Sequence, residues 1–137
     1  MRFESILTPR IVYMGTPEIS ASVLKVLLGK GLNIVGVITN PDKAKGRGAT
    51  LEPTPVKSVA LSHGIEVFQP ISIKTDNAFL SSLRPDAILT MAYGQIVPEE
   101  VLSLPPHGCY NLHGSLLPSY RGAAPMQRAI INRERQI

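Results

Sequence analysis

The run Ile34-Val35-Gly36-Val37-Ile38-Thr39 is rich in β-branched residues and carries no charge. It does not alternate apolar with polar residues, as a strand with one wet face would. It fits a parallel strand covered on both sides. Parallel neighbours need long crossovers, usually helical, and the rest of the chain supplies them. Ile11-Val12-Tyr13-Met14 reads as a first strand, closed by Gly15-Thr16-Pro17. Thr16 then Pro17 reads as a helix start, a capping hydroxyl followed by proline at the first helical position. Ile19, Val23, Val26 and Leu27 follow at helical spacing, and Gly29 and Gly31 flank the stop.

Asn40 to Pro55 reads as a long polar loop, followed by a helix with Val56, Val59 and Ala60 on one side. Glu66-Val67-Phe68 is a short third strand. Phe79, Leu80 and Leu83 mark a further helix, ended by Arg84-Pro85. Residues 86–92 form a fourth strand. Pro98-Glu99-Glu100 starts a short helix with two acids in its first turn. Residues 109–113 form a fifth strand, and a last helix carries Ala123, Met126 and Ile130. This alternation predicts an α/β, doubly wound, mainly parallel Rossmann-like sheet. The last residues follow a helix where another strand is expected, so residues 1–137 read as one incomplete domain.

The composition narrows the classes. With 44% hydrophobic and 18% charged residues, the chain is globular rather than disordered. One cysteine, Cys109, excludes a disulfide framework and a multi-cysteine metal site, and a buried apolar role suits it. His63 and His107 stand at a helix end and in a loop, away from any Cys or carboxylate cluster, so no metal is expected. The first ten residues lack an apolar core and include Glu4, which argues against a secretory signal. The cytoplasm, or an organelle matrix in a eukaryote, is the expected compartment. The net charge of +4 permits an anionic partner without requiring one.

Open α/β sheets bind ligands beyond the carboxyl ends of their strands. Three segments fall there: residues 15–17, 92–98 and 111–122. Asn111 and His113 lie two apart on a strand and so share a face. A carboxamide N–H and an imidazole aimed at one point can stabilise an oxyanion, and the imidazole can move protons near neutral pH. The same pair can equally be a buried Asn and His bonded to each other. Residues 92–98 read as a strand-to-helix turn. In residues 42–47, Lys43, Lys45 and Arg47 outweigh Asp42, and Gly46 and Gly48 let the backbone approach a phosphate chain closely; a solvated loop is the other reading. Gly15 stands at the first βα turn, but Gly-x-Gly-x-x-Gly is absent there, so NAD is not expected.

Asn111, His113, Gly114, Ser115, Leu116, Leu117 and Pro118, followed by Arg121-Gly122, resemble the signature of formyltransferases that use 10-formyltetrahydrofolate. The resemblance implies that Asn111 and His113 are catalytic and that Ser115, Leu116, Leu117 and Pro118 line a folate site. It also implies that the main chain of Gln95, Ile96 and Val97 holds the pterin. Residues 14–18 and 39–48, with Pro53-Thr54-Pro55-Val56-Lys57, are similar to the methionyl-tRNA formyltransferase family from about Arg10 onward. That likeness implies tRNA contact by Arg47, with Lys43 and Lys45 beside it, and initiator methionyl-tRNA as the formyl acceptor. A nucleotide-sugar or ribonucleotide amine is the alternative acceptor, and an inactive folate- or RNA-binding fragment the alternative class. The family's third catalytic residue, an aspartate, and its C-terminal tRNA-binding β-domain fall beyond residue 137. This chain alone is therefore expected to be inactive, and the whole enzyme to be a monomer.

Overall fold

A computed structural model describes residues 8–45 and 50–112, with only the backbone of Lys45. The expected last helix and the segment from His113 onward lie outside the described residues. Five strands form one sheet: β1 (Ile11–Gly15), β2 (Ile34–Ile38), β5 (Val67–Phe68), β6 (Ala87–Met91) and β7 (Cys109–Asn111). All pairings are parallel and the order is β5-β2-β1-β6-β7. The chain winds outward from β1 in one direction, then returns to β6 on its other side. The order therefore reverses between β1 and β6, which is where such sheets open a crevice at their carboxyl edge.

Helices α1 (Glu18–Gly29) and α2 (Pro55–Ser62) cover one face, and α3 (Phe79–Leu83) and α4 (Glu99–Leu102) cover the other. Helix α1 buries Ser20, Ala21, Val23, Leu24 and Leu27. Ile19 and Val26, expected on its apolar stripe, are each 42% exposed. The inward stripe is set by the small residues Ser20 and Ala21, which let the helix lie close to β1. Burying one side chain such as Leu24, which is fully enclosed, is worth about 2 kcal/mol. The helix ends with Gly31 at φ 87, the left-handed turn that glycine supplies without cost.

Helix α2 starts as its sequence directs. Pro55 occupies the first turn, and Thr54 Oγ1 accepts from the Lys57 amide at 3.1 Å. Val56, Val59 and Ala60 are its buried residues. Cys109 is buried and its thiol is not in a disulfide. The expected polar loop from Asn40 to Pro55 instead holds an antiparallel ribbon, β3 (Lys43–Lys45) and β4 (Thr50–Glu52). Lys43 pairs with Glu52, Ala44 with Leu51 and Lys45 with Thr50. The described side chains of the ribbon are exposed, so no apolar alternation betrays it in the sequence.

Candidate functional site

The two strands flanking the crevice end in tight backbone. Gly15 closes β1 where a Cβ would meet Ser20 Oγ at 1.8 Å and the Met91 carbonyl at 2.9 Å. No side chain fits there, because Ser20 Oγ is itself held by the Tyr13 hydroxyl at 2.9 Å and Met91 belongs to the adjacent strand. Past β6, Ala92 has φ 52 and Gly94 φ 100. The left-handed alanine costs about 1–2 kcal/mol. It reverses the chain so that Tyr93 turns inward, 3% exposed, and its carbonyl faces the crevice.

That carbonyl collects two hydrogen bonds. Thr16 Oγ1 donates to it at 2.7 Å and Asn40 Nδ2 at 3.0 Å. Thr16 was expected to cap α1. Pro17 takes the capping position without a side-chain bond, and the Thr16 hydroxyl crosses to Tyr93 instead. The Gln95 carboxamide completes the arrangement: Oε1 accepts from the Ile73 amide at 2.8 Å, and Nε2 donates to Asn40 Oδ1 at 2.8 Å and to the Pro70 carbonyl at 3.2 Å. The side chain of Gln95 is thus spent on the fold. The main-chain N–H and C=O groups of Gln95, Ile96 and Val97 have no hydrogen-bond partner among the described residues. Ile96 is 89% exposed and Val97 is buried. A short stretch of open backbone donors and acceptors beside an apolar side chain suits a flat heteroaromatic ring.

Asn111 stands one strand away. The register pairs Phe68 with Ile38, Ile38 with Met14, Met14 with Thr90 and Thr90 with Asn111, so these five form one row across the sheet. The row is apolar until its last two members. Thr90, 1% exposed, donates its hydroxyl to Asn111 Oδ1 at 3.0 Å. This fixes the amide orientation, and Asn111 Nδ2 has no partner among the described residues. Leu112 turns to the opposite face and is buried in the α1 and α2 core. Asn111 and Leu112 therefore alternate across the sheet, as neighbours on a strand do. His113, Ser115, Leu116, Leu117, Pro118 and Arg47 lie outside the described residues.

Lys43 is exposed on the ribbon. Asp42, at the ribbon's base, is bound by Gln69 Nε2 at 2.7 Å and by Lys57 Nζ at 3.1 Å. The Gln69 hydrogen bond, then Lys57, holds its carboxyl below the usual carboxylate value. Sequence reasoning missed Thr16, Asn40, Gln69 and Thr90. Their common signal is a polar side chain at or just past a strand's carboxyl end. Among the described residues no three His, Cys, Asp or Glu side chains gather as a metal site.

A family profile described as formyl transferase matches residues 9–137. The chain belongs to the formyl transferase family. A methionyl-tRNA formyltransferase of Thermotoga neapolitana is 54% identical over 129 residues, covering 93% of this chain and 41% of the relative. Another, from Marinobacter nauticus, is 56% identical over 123 residues, covering 88% of this chain and 40% of the relative. The chain thus spans about two-fifths of the length of these relatives. The crystal structure of glycinamide ribonucleotide transformylase 1 from Symbiobacterium toebii superposes with a TM-score of 0.53 at 18% identity, over 89% of this chain and 59% of the other. That likeness concerns the fold, and it agrees with the parallel sheet flanked by helices.

Proposed function

We propose that this chain forms the folate-handling catalytic edge of an enzyme that transfers a formyl group from 10-formyltetrahydrofolate to the amino group of methionyl-tRNA in translation initiation. The observation that carries the reading is Asn111. Its carbonyl oxygen is occupied by Thr90, and among the described residues its Nδ2 is left as a donor at the carboxyl rim of the sheet. Relatives named for methionyl-tRNA at 54% and 56% identity favour that acceptor over a ribonucleotide amine.

In this reading the pterin lies along the main chain of Gln95, Ile96 and Val97, with Ser115, Leu116, Leu117 and Pro118 closing the folate site. The amine nitrogen attacks the formyl carbon, and the carbonyl oxygen takes up negative charge. Asn111 Nδ2 donates to that oxygen, with His113 as its second stabiliser. The bond from carbon to the folate nitrogen then breaks. That nitrogen gains a proton as the new amide loses one. A donor fixed before the reaction, as Asn111 is by Thr90, need not reorganise as charge develops, and one such donor is worth about 3–4 kcal/mol. Lys43, Lys45 and Arg47 would grip phosphates, giving affinity and register rather than base identity. The acting enzyme is a monomer in the cytoplasm, or in an organelle matrix in a eukaryote.

The test is to purify the full-length protein carrying residues 1–137 and supply 10-formyltetrahydrofolate with methionyl-tRNA, or with glycinamide ribonucleotide. Formylation of the tRNA alone supports the reading. Formylation of the ribonucleotide alone, or of neither, ends it.

A further inference from the structure

The loops at the carboxyl edge share one residue. The Asn40 amide donates to Thr16 Oγ1 at 3.4 Å and its Nδ2 to the Tyr93 carbonyl at 3.0 Å. Its Oδ1 accepts from Gln95 Nε2 at 2.8 Å, and its carbonyl from Gln69 Nε2 at 3.2 Å. The same Gln69 nitrogen donates to Asp42 Oδ1 at 2.7 Å, and Asp42 is the residue before β3. Pro41 lies between Asn40 and Asp42 and fixes its own φ, so a shift of one neighbour is passed to the other with little slack. On the far side, Gly94 passes so close that a Cβ there would lie 2.7 Å from Asn40 Nδ2. The connection from ribbon to loop 92–98 is thus continuous, short and neutral at its centre.

We propose that Asn40 is a positioning residue that couples the β3–β4 ribbon to loop 92–98. A ligand seated on the main chain of the loop then holds the ribbon in place, and a phosphate backbone seated on the ribbon holds the loop. The coupling is reciprocal because both segments bias one set of hydrogen bonds. The inference rests on the assignment of loop and ribbon to folate and tRNA made above. Its consequence is mutual: folate on the loop prepares the ribbon for the nucleic acid, and nucleic acid on the ribbon tightens folate on the loop. A carboxamide suits this role because donor and acceptor point in opposite directions from one planar group, so Tyr93 and Gln95 cannot both stay bonded if it rotates.

Amide hydrogen exchange on the full-length protein tests it, with tetrahydrofolate as the probe. In the wild type, tetrahydrofolate should slow exchange in residues 92–97 and also in residues 43–45 and 50–52. In Asn40→Ala the loop should keep its protection and the ribbon should lose it, while KM for methionyl-tRNA rises about tenfold and kcat changes little. Gln69→Ala cuts only the ribbon side and should give the same loss, which serves if melting shows Asn40→Ala unfolded. Ribbon protection that persists in both variants overturns the proposal, as does a wild-type ribbon that ignores tetrahydrofolate while the loop responds. If tetrahydrofolate slows exchange nowhere, the folate assignment fails, and the coupling is then judged without ligand. Asn40→Ala should speed exchange in both segments, and a rise confined to one of them overturns it.

Discussion

The two ends of the sheet are closed by different chemistry. At the amino end the work is done by charge. The Arg10 guanidinium donates to the Leu83 carbonyl at 2.6 and 2.9 Å and to the Arg84 carbonyl at 3.2 Å, closing the end of α3. Asp86 Oδ2 accepts the Arg10 amide at 2.7 Å, and the Asp86 amide returns a bond to the Arg10 carbonyl at 2.7 Å. At the carboxyl end the groups that hold the Tyr93 loop are the neutral amides and hydroxyls of Thr16, Asn40 and Gln95, the Asp42–Lys57 ion pair stands further out at the ribbon's base, and the backbone at Ala92 is strained. The amino end satisfies helix-terminal carbonyls that folding leaves over. The carboxyl end holds backbone in an unfavourable shape and leaves main-chain groups open among the described residues, the pattern of a site rather than a seam.

Four substitutions or titrations sharpen the contrast. Asn111→Ala in the full-length protein should lower turnover by about 100-fold or more while the melting temperature moves little. An equal loss of stability would make Asn111 a packing residue. Asp86→Ala should do the reverse, costing about 2 kcal/mol in chemical denaturation while activity per folded molecule stays constant. A fall in specific activity would join the amino end to the site.

Alkaline titration probes the interior behind the strained loop. Burial pushes the Tyr93 hydroxyl up to about 12 from 10.0, and burial also raises Tyr13. The folded state favours the neutral phenols. Their stabilising contribution is therefore full below pH 10 and fades as pH rises toward 12. Of the four tyrosines in residues 1–137, at least Tyr13 and Tyr93 should be silent at the tyrosinate band at pH 11, appearing only with loss of helical ellipticity. Ionisation of all four in the folded protein would contradict the burial. The smallest effect is expected from Ala92→Gly, which should stabilise by about 0.5–1 kcal/mol as left-handed strain is relieved. A destabilised variant would mean that the Ala92 methyl packs usefully.

The sequence made the interior legible and left the rim obscure. Strands β1, β2 and β6 were readable because both their faces are covered, which demands unbroken apolar runs. The α2 start was readable because Thr54 and Pro55 serve local backbone needs. Thr16 and Pro17 present the same local pattern, yet the Thr16 hydroxyl goes to Tyr93, 77 residues away in sequence, since a buried carbonyl across the crevice outweighs a helix end that water can satisfy. Asn40 and Gln95 are 55 residues apart, and polar groups that meet at such range leave no periodic trace. The ribbon escaped notice because exposed strands need no pattern. Asn111 was readable through alternation, but its amide orientation depends on Thr90, which register alone supplies.

The position of β1 in the sheet also bears on how the chain is made. Its first neighbour, β2, follows within one helix, but its second, β6, pairs Ile11 with Ala87. At a synthesis rate of about 5–20 residues per second, that partner leaves the ribosome roughly 4–15 seconds later. Through that interval the nascent chain shows one side of β1 as an open apolar edge, ready to recruit any other extended segment. A chaperone bound at the tunnel exit would find its natural client in the segment from β1 to β2, and slowing translation before residue 87 would lengthen the exposure.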